Sequence, residues 1–321
     1  MNTLLLQPTD VLFFRDGRPM EGASAGHGAG WPLPTVTDAA IHAALHRADL
    51  RGHAHDQIRG GVRAEKDVRI FGSLVTAGPF PVRESTPEHP DRTWFFPRPL
   101  DLLGATTDPS LLPAAGNWRR ESSLPEPLRD VVANLLPPSK DSPAMPWFSR
   151  ELYEAYLRGE SRAISPKDTG AVQDRDFCDA EQTIGIAICG ETGTTGQGDA
   201  QGKIYSAHYL RLHDEWRLGV LAATAEKSES IGVGVDLIPK LISQDRHLLV
   251  GGQQRLCTAL RVESPRLPMP VAPRDMFRES PHLAAAKPVY RVKWVLLTPA
   301  IWPEVTEGTS PRGTKRLAHP G

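Results

Sequence analysis

The chain has 321 residues, of which 40% are hydrophobic, and this is enough for roughly two domains that each bury a core. Its net charge of −1 gives no global sign of a polyanionic partner, and no stretch approaches the roughly 20 apolar residues of a membrane helix. The opening MNTLLLQPTDVLFF lacks the basic start and cleavage site of a secretory signal. The three cysteines show no metal-like spacing, so we expect reduced thiols in a cytoplasmic protein.

Apolar runs and amphipathic segments alternate irregularly along the chain, and this pattern predicts an α+β fold. The first run, TLLLQP, is a predicted buried strand. TVTDAAIHAALHRADL is the strongest predicted helix, with Thr35 or Thr37 as its cap and Asp38 in the first turn, where the helix dipole favours a carboxylate. Its predicted apolar face consists of Ile41, Ala44, Leu45 and Ala48.

The later elements follow the same mixed pattern. DVRIFGSLVTAG and TWFFPRPLDLL are predicted strands, and WFSRELYEAYLRGE is a predicted helix that ends at Gly159. Residues 183–212 are predicted to form a long hairpin with a Gly/Thr-rich tip, which projects from the fold. WRLGVLAAT and VYRVKWVLLTPA are predicted to follow as strands.

The segment FFRDGRPMEGASAGHGAGWPLP, residues 13–34, is far longer than the 2–6 residues usual between a strand and a helix. Long ordered loops of this kind tend to bind something. Arg15 and Arg18 flank an Asp-Gly turn that would project both guanidiniums the same way, and a planar guanidinium suits phosphate oxygens. Either arginine could instead pair with Asp16 or Glu21.

A second candidate binding segment is LLVGGQQRL, in which Gly251 and Gly252 follow an apolar run and Arg255 comes shortly after. Two glycines would let the backbone approach a polyanion closely, or would simply end a strand in a turn. Residues 246–321 carry twelve Lys/Arg against five Asp/Glu, a balance of +7 in a chain of net charge −1. This asymmetry is compatible with a polyanion contact or with a solvated basic surface.

Other motifs fail on spacing. The glycines of residues 22–30 do not follow G-x-G-x-x-G, and no P-loop lysine comes after them. His42 and His46 lie one helical turn apart but lack the H-E-x-x-H glutamate, and no G-x-S-x-G elbow occurs. We therefore expect no cofactor and no metal.

These segments together resemble the third subunit of the Cmr complex, a type III-B CRISPR effector, from the RAMP superfamily (repeat-associated mysterious proteins). The resemblance is carried by LFFRDGRPM with WPLPTVTDAAIHAAL, and continues collinearly through RIFGSLVTAGPF, WFFPRPLDLL, EQTIGIAICGETGTTGQGDAQGKIYSAHYLRL and LLVGGQQRL. Three departures stand out. Gln253 and Gln254 replace the Glu-Gly of the family's usual Gly-Gly-Glu-Gly-Arg loop, Gln182-Thr183 follow Glu181 where an arginine is typical, and the family tends to run further at its C-terminal end.

The resemblance implies two ferredoxin-like (RRM-like) βαββαβ domains with long loop and hairpin insertions. The first would span residues 1–222, with a helical insert at about 104–180 and the hairpin at 183–212. The second would span residues 223–321 and be incomplete. The hairpin would act as a thumb that wedges against the guide–target duplex.

The function implied is that of a non-catalytic RNA-binding subunit of a cytoplasmic ribonucleoprotein in antiviral defence. It would hold the 5′ tag of the CRISPR RNA, contact target RNA, and dock the large polymerase-like subunit and the backbone RAMP subunit, with no membrane contact. Trp31 would be a stacking platform for a base or a core anchor. The expected RNA-binding residues are Arg15, Arg18, Gly28, Gly30, Trp31, Tyr205, His208, Arg211, Gly251, Gly252 and Arg255.

Two alternatives stay open at this point. A RAMP endoribonuclease that processes precursor CRISPR RNA could use His42 or His46 as general acid or base, assisted by Lys203, Tyr205 or His208. A purely protein-binding scaffold is the third possibility. Retention, cleavage or neither, with labelled repeat RNA, separates the three.

Overall fold

The computed structural model describes residues 1–14, 25–26, 30–50, 58–59, 62–63, 73–85, 91–99, 102, 106–107, 111–113, 132–134, 145–165, 168–195, 204–227, 234–269 and 297. The chain divides into two compact units, each built from two stretches of sequence. The first is Met1–Phe95 with Val172–Arg266, and the second is Phe96–Ala171 with Leu267–Gly321. The predicted domain boundary at residue 222 stays a prediction.

The described elements are three α-helices, a 3-10 turn and seventeen short to medium strands. The helices are α1 (Pro34–Arg47), α2 (Arg150–Arg158) and α3 (Ile238–Gln244), and the 3-10 turn is Asp174–Asp176. The strands are β1 (Asn2–Pro8), β2 (Ala25–Gly26), β3 (Ile58–Arg59), β4 (Val62–Arg63), β5 (Val75–Glu84), β6 (Arg92–Pro97), β7 (Leu111–Pro113), β8 (Val132–Asn134), β9 (Trp147–Ser149), β10 (Ala171–Val172), β11 (Cys178–Ile186), β12 (Ile204–Leu212), β13 (Trp216–Ala223), β14 (Glu226–Lys227), β15 (Gly234–Val235), β16 (His247–Leu249) and β17 (Leu256–Val262).

The first unit is organised around an antiparallel sheet with the strand order β6–β5–β13–β1–β17–β16. β1 lies near the centre, where Leu4 is opposite Val220 on β13 and opposite Arg261 on β17. Residues 3–6 are all buried, so both faces of β1 are covered, as the unbroken apolar run predicts. The elements β1, α1, β5, β13, α3 and β17 follow one another in the order β-α-β-β-α-β.

Helix α1 confirms the predicted helix but not its predicted start. The helix begins at Pro34 with Leu33 as its cap residue, and no side chain caps it. Proline fits the first helical position because its missing N–H is not needed there. Thr37 instead donates its hydroxyl to the Pro34 carbonyl at 3.0 Å, and Asp38 lies beyond the first turn, where it accepts from the Thr76 hydroxyl at 3.2 Å.

The predicted apolar face of α1 is largely confirmed. Ile41, Ala44 and Leu45 are buried, whereas Ala48 is the half-buried residue at the C-terminal cap. The helix therefore packs through the face that its 3.6-residue period predicts.

In the second unit, β9 runs directly into α2. Ser149 caps α2 by accepting a hydrogen bond from the Leu152 amide at 3.5 Å, and Gly159 ends the helix in a left-handed conformation with φ 70°. The predicted end at Gly159 is thus confirmed, whereas the predicted start is wrong, because Trp147–Ser149 form β9 and the helix begins at Arg150. Tyr153 and Tyr156 are buried beneath the helix, with their ring centroids 5.9 Å apart.

The mixed α+β class, with a large antiparallel sheet and few helices, is confirmed. The hairpin is also confirmed, because β11 and β12 pair antiparallel from Cys178 opposite Leu212 to Ile186 opposite Ile204. The predicted strand VYRVKWVLLTPA lies outside the described residues except for Leu297. Within the described residues, no helix is long and apolar enough to cross a membrane.

Candidate functional site

The loop of residues 13–34 is rooted on the hairpin. Just before the loop, Leu12 and Leu210 exchange two backbone hydrogen bonds of 2.8 Å, which fasten the loop's entry to β12. Further along the loop, β2 pairs in parallel with β12, with Ala25 opposite Ser206. The loop therefore contacts the same strand twice. Arg15, Arg18 and Gly28 lie outside the described residues.

The exit of the loop is anchored by Trp31. Its indole N–H donates to the Pro79 carbonyl at 2.9 Å, and its ring meets that of Phe177 edge-on, with centroids 5.1 Å apart. The side chain is half-buried. These contacts are those of an anchor that fixes the loop on its scaffold. Gly30, immediately before it, has no steric need to be glycine, because an added Cβ would meet no described atom within 4 Å.

The double glycine packs against the root of the loop. Gly252 donates its backbone N–H to the Phe13 carbonyl at 2.8 Å. A Cβ on Gly251, which has φ 78°, would lie 2.5 Å from that same carbonyl oxygen, and a Cβ on Gly252 would lie 2.7 Å from Cδ1 of the Phe13 ring. The close backbone approach that the glycines were predicted to permit is therefore, among the described residues, an approach to Phe13.

The two glutamines that follow both adopt left-handed conformations, with φ 55° at Gln253 and 52° at Gln254. Such conformations are uncommon for residues with a Cβ. Gln253 is held by its side chain, whose Oε1 accepts from the Tyr209 hydroxyl at 3.0 Å and from the Arg255 guanidinium at 3.1 Å. The turn is therefore fixed to both β12 and the start of β17.

A stack of three side chains connects this turn with the loop. The Arg255 guanidinium lies over the Tyr209 ring, 4.9 Å from its centroid, and the Tyr209 ring lies 5.5 Å from that of Phe13. The nearest carboxylate oxygen of Asp10 is 3.8 Å from the Arg255 Nη1. The Nε of Arg255 is buried and has no hydrogen-bond partner among the described residues. Arg255 thus makes a cation–π contact with Tyr209, while its positive charge is only partly neutralised by the more distant Asp10.

Tyr209 is the residue that the sequence argument missed. Strand alternation offers the signal, because Tyr209 and Arg211 are two residues apart and so share one face of β12. His208 belongs to the opposite face. The structure thus separates His208 from Arg211, which was also expected at the RNA site. The Tyr205 side chain lies outside what the structure describes.

Arg211 is enclosed by two carboxylates. Its Nε and Nη2 donate to Glu181, the latter at 3.2 Å, and its Nη1 lies 3.0 Å from Asp10. The hydrogen bond to Glu181, together with the charges of Glu181 and Asp10, raises the pKa of Arg211 above its usual range. Arg211 joins the base of β11 to the end of β1, and a phosphate would have to displace one of these carboxylates to reach it.

Metal binding or acid–base chemistry would draw on the histidine, cysteine and carboxylate side chains. No group of three or more His, Cys, Asp or Glu side chains among the described residues could hold a metal ion. His42 and His46 stack on α1 with ring centroids 4.8 Å apart, away in sequence from His208 on β12. A polar cleft of about 210 Å³ lies beside the Arg211 cluster, lined by residues that include Asp10, Arg211, His213, Asp214 and Arg217.

Comparison with known proteins gives a family. The family model for a CRISPR-associated protein (Cas_Cmr3) matches residues 4–319. Two chains from cryo-EM structures of the type III-B Cmr-beta are similar at 13% identity, one bound to cognate target RNA and AMPPnP (TM-score 0.37) and one bound to cognate target RNA (TM-score 0.39). Each match covers 82% of this chain and 64% of the other, so this chain spans less than two thirds of their length. No curated protein matches. Because the family model spans nearly all of the sequence, the chain belongs to the CRISPR-associated Cas_Cmr3 family.

Proposed function

We propose that this protein is a non-catalytic RNA-binding subunit of a cytoplasmic type III-B Cmr ribonucleoprotein. It holds the 5′ tag of the CRISPR RNA and docks the large polymerase-like subunit and the backbone RAMP subunit. The RNA-binding part of the proposal is carried by the contacts of Phe13, the first residue of the long loop. Both the glycine turn and Tyr209 of the hairpin pack against it. The non-catalytic assignment rests on the family resemblance.

The convergence matters because a loop that binds a flexible ligand gains affinity when it is already ordered at its ends. The entry of the loop is held by Leu12 and Phe13, and its exit is held by Trp31. Arg15 and Arg18 come two and five residues after Phe13 in the sequence, close to this held entry. Phosphate contacts from this part of the loop position an RNA strand without reading its bases.

Arg255 is the described cation best suited to join these two arginines. Its side chain is 28% exposed, and its one described carboxylate neighbour lies at 3.8 Å, beyond hydrogen-bonding distance. Arg211, in contrast, is engaged by two carboxylates. In this proposal Arg255 contacts RNA, and Arg211 keeps the hairpin in place.

The fold proposed for the first unit is ferredoxin-like. The β-α-β-β-α-β succession of its elements supports this, together with the sheet order β5–β13–β1–β17, in which the first and third strands of the motif are central. A second ferredoxin-like domain belongs to the proposal only through the resemblance.

The proposal is tested with the purified full chain and fluorescently labelled CRISPR RNA. One RNA carries the 5′ tag, and a control of equal length carries the same tag bases in scrambled order. We expect tighter binding of the tagged RNA and no cleavage product from a precursor repeat RNA. Arg15→Ala/Arg18→Ala should reduce the slope of log affinity against log salt by about 1.4, since each phosphate contact on a single strand contributes about 0.7. Equal affinity for both RNAs, an unchanged slope, or cleavage of the precursor would contradict the proposal.

A further inference from the structure

The outer part of the hairpin exposes a row of isoleucines. Ile184, Ile186 and Ile188 have 71%, 50% and 65% of their surfaces exposed. They lie two residues apart on β11 and its extension, so their side chains point to one face. Single exposed apolar residues are ordinary, but a contiguous row of β-branched side chains marks an interaction surface.

The same strand also lies at the edge of its sheet as far as the described strands go. In the three-stranded sheet of order β11–β12–β2, β11 pairs with β12 on one side, and no described strand pairs with its other side. Proteins usually protect such an edge with lysine, proline or a bulge. The pairing of β11 with β12 runs without a register shift, and residues 182–186 contain neither a charge nor a proline.

The chemistry of this surface does not match RNA. Residues 182–195 carry one charged side chain, Glu191, and contain no lysine, arginine or aromatic residue. A phosphate backbone requires cations, and unpaired bases require aromatic or guanidinium platforms. Arg211 lies at the base of the hairpin and is paired with Glu181 and Asp10. The row of isoleucines therefore fits an apolar protein surface.

We propose that the edge of β11 on which no described strand pairs accepts an extended segment of a partner protein in the effector assembly. The segment adds as a further strand through backbone hydrogen bonds, and its alternate apolar side chains cover Ile184, Ile186 and Ile188. The inference rests on the proposed function only in that the protein works within an assembly. It differs from the wedge against a guide–target duplex that the family resemblance implies for this hairpin.

The first experiment identifies what lies on the surface. The photo-crosslinking residue benzoylphenylalanine replaces Ile184 in the full chain, and the complex is assembled with its co-expressed partner subunits and CRISPR RNA. We expect a crosslink to a protein subunit that persists after ribonuclease treatment. A crosslink to RNA, a crosslink to a second copy of this chain, or no crosslink would overturn the inference.

The second experiment measures affinity. Ile184→Thr/Ile186→Thr keeps β-branched side chains suited to a strand but removes apolar contact, and should weaken assembly with the partner subunits at least about tenfold. The matched control is Gln182→Thr, an exposed polar residue on the same face of β11, which should change the affinity less than about twofold. Equal effects of the two variants would count against the isoleucine face.

A third variant separates protein from RNA by charge. Ile184→Lys/Ile186→Lys adds two cations, so it should weaken assembly if the face meets an apolar protein surface. If the face meets RNA, the same variant should strengthen target binding and steepen its salt dependence, which would overturn the inference. Because all these side chains are exposed, the thermal midpoint of the free chain should stay within about 2 °C.

Binding of the tagged RNA is measured for every variant. If the isoleucine variants lose assembly but keep the tag preference, both proposals hold. If the unmodified chain shows no tag preference while the isoleucine variants still lose assembly, the RNA proposal fails and this inference stands. If assembly is unaffected while tag preference persists, this inference alone fails.

Discussion

The backbone N–H of Gly252 donates to the carbonyl oxygen of Phe13 at 2.8 Å, and this bond joins two segments that are far apart in the sequence. The turn that follows β16 thereby holds the residue from which the arginine-bearing loop departs. Glycine is required on the turn side because the Phe13 backbone and ring occupy the space where a Cβ would lie.

Substitution of the double glycine should destabilise the fold in a graded way. Gly251→Ala places a Cβ 2.5 Å from a backbone oxygen at a residue with φ 78°, and should lower the free energy of unfolding by about 3 kcal/mol. Gly252→Val places a Cβ 2.7 Å from a side-chain atom of Phe13 rather than from its backbone, and should cost about 1–2 kcal/mol, more than Gln253→Ala. Urea titration of the full chain measures each value.

The matched control for this series is Gly30→Ala. An added Cβ there would meet no described atom within 4 Å, so stability should change by less than about 0.5 kcal/mol. A Gly251→Ala protein as stable as Gly30→Ala would show that the turn can relax away from Phe13.

The two left-handed glutamines should respond differently to glycine. Gln254→Gly relieves the left-handed conformation at φ 52° and should raise the free energy of unfolding by about 0.5–1 kcal/mol. Gln253→Gly relieves similar strain but loses the hydrogen bonds from Tyr209 and Arg255, so its net effect should be close to zero or destabilising. Thermal unfolding compares the pair. Equal stabilisation by both would mean that the Gln253 side chain contributes nothing.

Much of the local structure could be predicted because its signals are local. The glycine that ends α2 follows its amphipathic pattern directly, and the alternation of the two hairpin strands can be counted along the sequence. The predicted start of α1 at a threonine cap was wrong. The helix begins one residue before Thr35, at Pro34, because proline is well suited to the first helical position.

The partners of the glycine turn could not be predicted in the same way. Phe13, Tyr209 and Gly252 are far apart in sequence, and no single-sequence pattern specifies that they meet. The glycines indicated a close approach, but what they approach depends on the strand order that places β1 beside β17. For the same reason the carboxylates around Arg211 could not be predicted, since Asp10 follows β1 and Glu181 lies on β11.

Arg255 and Arg211 should differ in their contribution to RNA binding, if the proposed function holds. Arg255→Ala should lower the slope of log affinity against log salt by about 0.7, the contribution of one phosphate on a single strand. Arg211→Ala should leave that slope unchanged, because its guanidinium is neutralised by Glu181 and Asp10. Fluorescence anisotropy at four salt concentrations measures both slopes. If Arg211→Ala lowered the slope as much as Arg255→Ala does, Arg211 would have to be counted among the residues that contact RNA.

The three cysteines should react at very different rates. Burial raises the pKa of Cys257 to about 12, and burial together with the charges of Asp174 and Asp179 raises that of Cys178 to about 12. At pH 8 only about one thiol in 10⁴ is then a thiolate at either site. Hydrogen bonding by Thr192 lowers the pKa of Cys189 near the hairpin tip. Iodoacetamide at pH 8, followed by mass spectrometry, should find one labelled cysteine, Cys189. Labelling of Cys178 or Cys257 at the same rate would show that the hairpin base or β17 opens.

The first part of the long loop is attached to β12 at both of its ends. Leu12 is paired with Leu210, and Ala25 is paired with Ser206. The twelve residues between Leu12 and Ala25 therefore connect two points of β12 that are four residues apart. Four residues along a strand span roughly 13 Å, and this is the distance between the two attachment points on β12. Residues added to this segment would lengthen it while its two attachment points stayed in place. The entropic cost of closing the loop would grow only with the logarithm of its length. The number of residues between the two attachments can therefore change without moving the strand to which both are fastened.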